Sequence, residues 1–226
     1  EQLLRLQAGV MRQVLKDLWE TRTDNPFPGL TTHAYLWTPA QTLFYSPATD
    51  AEFDELSDLG GVSHHYLSHR DEAGPMLKSI AQQFGSSLHA PLAELDDIAK
   101  HQRVDVPLGS RHIDTNGIEV IPTPGHTPGS TCYLVPGAEG RYLFTGDTVI
   151  RTPRGNWWAG YLEGMSDRHT LAESLRLLST LSPDVVVSSA FQGDTAVHRI
   201  EPGQWQDHVA QALDGLFSAT RNVRGS

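Results

Sequence analysis

The chain has 226 residues, enough for one large domain or two small ones with a sizeable core. Its formal net charge is −10 with no block of like charges, which speaks against sequence-independent binding to nucleic acid or to an anionic membrane surface. No apolar run approaches the ~18 residues of a membrane span, and the single cysteine, Cys132, cannot close an internal disulfide; a small buried residue in a cytoplasmic protein is expected.

In chain order, residues 3–19 place Leu3, Leu6, Val10, Val14, Leu15 and Leu18 at helical spacing, which predicts an amphipathic helix. Residues 1–24 are thus expected to pack as an N-terminal helix on the domain or on a partner, and its broad apolar stripe makes it the natural homodimer contact. The Pro- and Gly-rich stretch at 25–29 ends it. Residues 32–37 and 42–45 alternate and are rich in aromatics, as the strands of a hairpin are. Residues 52–59 read as a short helix stopped by Gly60 and Gly61, residues 64–68 as a strand, and residues 75–84 as a helix with Pro75 in its first turn. A short strand at 87–89 and a helix at 91–98 follow, then a polar, irregular stretch over 99–117. Strands are expected at 118–121, 131–135 and 141–145. Residues 151–165 show little regular pattern, as lids and binding loops do. Asp167 caps a helix through Leu178, residues 184–188 form a buried strand, and residues 204–219 form the last helix. With strands and helices mixed throughout and no dividing linker, residues 25–226 read as one α/β domain.

Chemistry is concentrated in the loops that directly follow strands. Pro124-Gly125-His126-Thr127-Pro128-Gly129-Ser130 is a stiff turn between two strands, able to hold His126 at fixed geometry. Asp147 follows the end of the next strand. His69, Asp71 and Glu72 follow the strand at 64–68. Strand ends on one edge of an α/β sheet are where sites are built. Imidazole and carboxylate together are the ligand set of a hydrolytic zinc, iron or manganese centre. Each residue also has a plainer reading. His126 can order its own loop, Asp147 can form an Asx turn, and Asp71 and Glu72 can be first-turn carboxylates, the better reading for Glu72. Trp157, Trp158 and Tyr161 form a substrate-binding wall, or serve packing or dimer contact.

The motifs at 124–130 and at Phe144-Thr145-Gly146-Asp147-Thr148 resemble two metal-loop motifs of the metallo-β-lactamase superfamily, and the resemblance runs from about residue 28 to 200. It implies a four-layer αβ/βα sandwich, two mixed sheets with helices on the outer faces, and a site at one sheet edge. The family's first motif, His-x-His-x-Asp-His, is damaged here. With a two-residue gap His69 is its first histidine, Asp71 its aspartate and Glu72 stands in place of the third histidine; without a gap Asp71 replaces the second histidine, and Ala73 and Gly74 can ligate nothing. The family's last histidine falls near residues 189–192, which read Ser189-Ala190-Phe191-Gln192.

What remains implies at most one metal, zinc or iron, with His69, Asp71, His126 and Asp147 as candidate ligands and Asp71 or Asp147 as catalytic base. Two functions follow. One is a metal-dependent hydrolase with a mononuclear site, acting on a small acyl, ester, thioester or lactone substrate. The other is a metal-free member of the fold that binds a small molecule or a protein.

Overall fold

The computed structural model describes residues 11–22, 24–27, 30–193 and 195–221. By contacts the chain divides into two compact units, Glu1–Leu108 and Gly109–Ser226.

The first unit opens with β1 (Arg12–Leu15) and β2 (Leu18–Glu20), then β3 (Asp24–Phe27), β4 (Leu30–Thr32), β5 (Tyr35–Trp37) and β6 (Thr42–Phe44). Helix α1 (Phe53–Asp58), β7 (His64–Tyr66), α2 (Met76–Phe84), β8 (Ser87–Pro91), the single turn α3 (Leu95–Ile98) and β9 (Val106–Leu108) follow. Seven strands make a mixed sheet in the order β1-β2-β5-β6-β7-β8-β9. The β1/β2, β2/β5 and β5/β6 pairs are antiparallel. The β6/β7, β7/β8 and β8/β9 pairs are parallel. Parallel pairing needs crossovers, and α1 and α2 supply two of them. Leu36 and Leu43 of the sheet bury themselves with Leu56 of α1 and Ile80 of α2, and Leu67, Leu88 and Ala90 with Leu77 and Ile98.

The expected N-terminal helix is corrected here. Its residues 3–10 lie outside the described residues, but Arg12–Leu15 and Leu18–Glu20 are a β-hairpin. Leu15 and Leu18 are direct cross-strand partners over a two-residue turn. They face the same side for that reason, which imitates the i, i+3 spacing of a helix. The homodimer contact assigned to that helix loses its basis.

The second unit contains β10 (His112–Ile113), β11 (Glu119–Pro122), β12 (Thr131–Gly137), β13 (Gly140–Gly146), β14 (Val149–Arg151) and β15 (Trp157–Ala159). Helix α4 (Arg168–Leu178), β16 (Val185–Ser188), β17 (Ala190–Phe191), β18 (Val197–Arg199) and α5 (Trp205–Arg221) complete it. Its sheet runs β10-β11-β12-β13-β16-β18, antiparallel except for β13 beside β16. All four residues of β16 are buried, as expected of a strand covered on both faces. Leu143 and Val186 of the sheet, Leu171 and Leu175 of α4, and Val209 and Ala212 of α5 share one apolar core. Asp167 caps α4 as expected, its carboxylate accepting the Thr170 N–H at 2.8 Å. The stretch 151–165, read as irregular, instead completes the hairpin of β14 and β15. The polar stretch 99–117 contains β9 and the short edge strand β10.

Candidate functional site

Each unit carries candidate residues of its own. In the second unit, His126 sits on the turn between β11 and β12. Thr123 N–H donates to Ser130 O at 2.8 Å, and Thr127 N–H to Ser130 Oγ at 3.0 Å, so the turn closes on itself. A Cβ on Gly125 would lie 2.4 Å from Leu171 Cα; only glycine lets the turn lie against the first turn of α4. Ser174 Oγ donates to Pro124 O at 2.6 Å and Asp167 N–H to Gly125 O at 2.9 Å, which ties the turn to the helix.

The imidazole of His126 is 4% exposed, and its Nδ1 lies 2.7 Å from the carbonyl oxygen of Gly160. A carbonyl only accepts, so Nδ1 carries a proton and Nε2 is the nitrogen left turned outward. Gly160 is itself fixed by crowding: a Cβ there would lie 1.8 Å from Asp147 O and 3.1 Å from His126 Nδ1. Ser166 braces the same corner. Its hydroxyl donates to His126 O at 2.8 Å and accepts from Leu162 N–H at 2.9 Å. Neither Gly160 nor Ser166 stood out in the sequence. The one signal was their place in the long segment between Asp147 and α4.

Asp147 follows β13. Its Oδ1 accepts the Ala190 N–H at 3.0 Å, and its Oδ2 lies 3.6 Å from His126 Nε2. At that separation the two atoms share no hydrogen bond. An imidazole lone pair and a carboxylate oxygen facing each other repel unless a proton or a cation stands between them. Two donors bound about 2.0–2.2 Å from one tetrahedral ion sit about 3.3–3.6 Å apart, so the pair fits a metal. Ala190 belongs to the segment where the family's last histidine was expected; there it contributes a backbone N–H that orients the carboxylate.

In the first unit, β7 leads to Ser68 and His69, both 1% exposed. Ser68 Oγ donates to Glu72 Oε2 at 2.9 Å, which leaves it to accept from His69 Nδ1 at 2.8 Å. His69 is thus held through Nδ1, with Nε2 on the outward side of the ring. Asp71 Oδ2 lies 3.6 Å from that Nε2, on a side chain 48% exposed. Glu72 accepts the backbone N–H of Ser68 and, at 3.3 Å, that of His69, closing a capping box. Its plainer reading is the one the structure supports, because its oxygens are engaged by its own turn.

The aromatic wall is corrected in part. Trp157 is 4% exposed and belongs to the apolar core, with Trp205 edge-on at 5.7 Å and the His208 ring stacked at 5.1 Å. It packs rather than lining a pocket. Trp158 alternates to the other face of β15 and is half-buried. Tyr161 lies beneath the Arg168 guanidinium at 4.4 Å and donates to Glu163 at 2.9 Å. Cys132 is fully buried beside Thr123, and burial pushes its thiol up to about 12, which removes it as a nucleophile. Among the described residues no helix is long and apolar enough to cross a membrane.

A model of the family described as the metallo-beta-lactamase superfamily matches residues 51–190. A hydroxyacylglutathione hydrolase of Rhizobium meliloti is 31% identical over 175 residues, 76% of this chain and 63% of that protein. The cytoplasmic isozyme of hydroxyacylglutathione hydrolase from Saccharomyces cerevisiae is 30% identical over 46% of this chain and 38% of its own. The chain thus spans less than two thirds of the length of these relatives. Among solved structures, a metallo-beta-lactamase from Pontibacter korlensis aligns over 92% of this chain and 98% of its own, with a TM-score of 0.69 at 15% identity. That likeness shows the fold, the α/β class with two mixed sheets expected from the sequence.

Proposed function

Because the chain belongs to the metallo-β-lactamase superfamily, we propose that it is a metal-dependent hydrolase with a reduced, mononuclear centre that cleaves a small acyl substrate. The observation that carries this reading is His126 Nε2 facing Asp147 Oδ2 at 3.6 Å while Nδ1 is held by Gly160 O. His126 and Asp147 give the second unit a buried imidazole and a half-buried carboxylate for one ion, and His69 is proposed as its further ligand. Zinc suits this set, and two histidines with one carboxylate also suit iron(II). Such an ion, when bound, supplies Lewis acidity to a water and to the acyl carbonyl. The chain's own residues do the rest. Gly160 O and Ser68 Oγ hold the Nδ1 protons and so fix both imidazoles, and the Ala190 N–H holds the Asp147 carboxylate. Asp71 serves as a further ligand or as the base that takes the proton of the attacking water.

Of the acyl substrates, the reading favours a thioester, because the relatives reported above are named for hydrolysis of one; an ester or a lactone asks for the same attack on a carbonyl. Trp158 and Tyr161 remain in the proposal as aromatic contacts to substrate. The cytoplasm is the proposed location, on the single buried cysteine and the cytoplasmic yeast relative.

The test is elemental analysis of protein purified without chelators, followed by hydrolysis of a panel of thioesters, esters and lactones. About one equivalent of zinc or iron, with turnover lost on chelation and restored by the ion, is expected. Less than about a tenth of an equivalent of any transition metal overturns the reading.

Two observations favour a second reading, a metal-free binding module. Glu72 is engaged by its own turn, accepting the N–H groups of Ser68 and His69, and residues 189–192 bring no imidazole. A ligand bound without metal and without turnover would establish that reading instead.

A further inference from the structure

The second unit carries a cationic cluster that the hydrolase reading leaves unused. Arg151 and Trp157 are direct cross-strand partners in the hairpin of β14 and β15, so their side chains lie side by side on one face. The Trp157 ring touches two imidazoles. His208 of α5 stacks on it at 5.1 Å with an interplanar angle of 23°, and His198 of β18 meets it edge-on at 5.6 Å. The Arg151 guanidinium folds back over Gly155, with Nη2 3.0 Å from where a Cβ would stand. Arg151 is half-buried, and among the described residues no carboxylate pairs with it. His198 Nε2 is buried with no hydrogen-bond partner among the described residues.

We propose that Arg151, His198 and His208 form a binding site for a small oxyanion, the phosphate or carboxylate group of a metabolite. A half-buried guanidinium without a counter-ion and a buried ring nitrogen without a partner are each unfavourable alone. One oxyanion satisfies both: its oxygens accept from the planar guanidinium fork and from a ring N–H. His198 needs no charge for this, since a neutral imidazole protonated on Nε2 still donates. The burial and the nearby Arg151 charge that lower both histidines place them within reach of that charge, the field an anion would reverse. Asp207, beside His208, is the opposing group; it is exposed, so solvent and salt screen it.

The experiment uses the full chain, stripped with chelator so that phosphate cannot report on a metal. Inorganic phosphate and, separately, acetate are titrated at constant ionic strength set with chloride. Tryptophan fluorescence and the histidine ring resonances are followed. A saturable change that reaches the His198 and His208 rings is expected, weakened about tenfold or more in Arg151→Gln and retained in His126→Ala. Phosphate active with acetate silent assigns a phosphate group, and the reverse assigns a carboxylate. Arg151→Lys keeps the charge and should keep part of the affinity, which holds the test open if the glutamine variant misfolds. Silence from both anions up to about 50 mM, weaker than a millimolar site would give, overturns the proposal. Wild-type affinity in folded Arg151→Gln overturns it equally.

Discussion

Acidification should unfold this protein through a residue outside the candidate site. His65 is 1% exposed on β7, and its Nε2 bonds the backbone carbonyl of Tyr45. Tyr45 holds φ +68, an unusual backbone conformation for a large residue, so that hydrogen bond also anchors a strained position. Burial lowers His65 from the ordinary imidazole value of 6.5 to about 4, and its bond to Tyr45 offsets this only in part. In the unfolded chain the ring takes up a proton near pH 6.5; in the folded chain it resists until about pH 4. The unfolded state therefore binds more protons across that window. The neutral ring's contribution is intact above about pH 6.5, declines as pH falls, and levels off below about pH 4. Linkage puts the loss at about 1.4 kcal/mol by pH 5.5 and about 2.5 kcal/mol by pH 4.5. For a chain of this size that is about 5–10 °C in Tm at pH 4.5. The assay is a set of thermal melts from pH 7.5 to pH 4.5 on the wild type and His65→Gln, whose amide can still donate to Tyr45 O but does not titrate. The variant should start lower at pH 7.5 and fall less steeply, so the two curves converge as the pH drops. Parallel curves across this range would refute the reasoning.

The remaining predictions concern the site and its supports. Gly160→Ala should unfold the second unit or lower Tm by 10 °C or more in order of magnitude, because the new methyl would stand 1.8 Å from Asp147 O; circular dichroism melts read this. Ser166→Ala removes the brace on His126 O and should cost about 1 kcal/mol of stability, with metal affinity falling about tenfold in a chelator competition. Glu72→Ala leaves the N–H groups of Ser68 and His69 without their acceptor and should cost about 1–3 kcal/mol in urea melts. Cys132 should react with a thiol reagent only as the chain unfolds, so its labelling rate should rise with denaturant along the unfolding curve.

Much of this architecture can be read from residue pattern, and the failures have physical causes. The Asp167 cap, the buried run of β16 and the turn at His126 are set by local chemistry: an acceptor three residues before a free N–H, a β-branched apolar run, two prolines and two glycines. The N-terminal hairpin was hidden because a two-residue turn pairs Leu15 with Leu18 and so reproduces helical spacing. The β14–β15 hairpin was hidden because polar residues 152–156 interrupt it, and with it the choice between wall and packing for Trp157. An aromatic side chain on a short strand faces core or cleft according to the register, and here register with Arg151 turns Trp157 toward α5. Gly160 and Ser166 act through backbone atoms distant in sequence, and side-chain type alone does not disclose such partners.

The hydrogen bonds of the two histidines bear on what each ring is held for. His126 gives its Nδ1 proton to a carbonyl, and His69 gives its own to a hydroxyl that is in turn bound to Glu72. The two units arrive by different means at the same arrangement, a buried ring held through Nδ1 with Nε2 turned outward. A histidine that serves only to order a loop gains nothing from a fixed tautomer, since either nitrogen can satisfy a local group. A ligand needs the lone pair on the outward nitrogen and needs the ring held there. Glu72 supplies part of that hold through Ser68. If Glu72 stands where the family has a histidine, the exchange removes a donor and adds a support for the donor that remains. Glu72→Gln separates the two effects. Its amide oxygen can still accept from Ser68, but the charge that polarises the Ser68–His69 chain is gone. Metal affinity should fall while Tm changes by less than about 4 °C. A fall in Tm with metal affinity unchanged would make Glu72 a cap and nothing more.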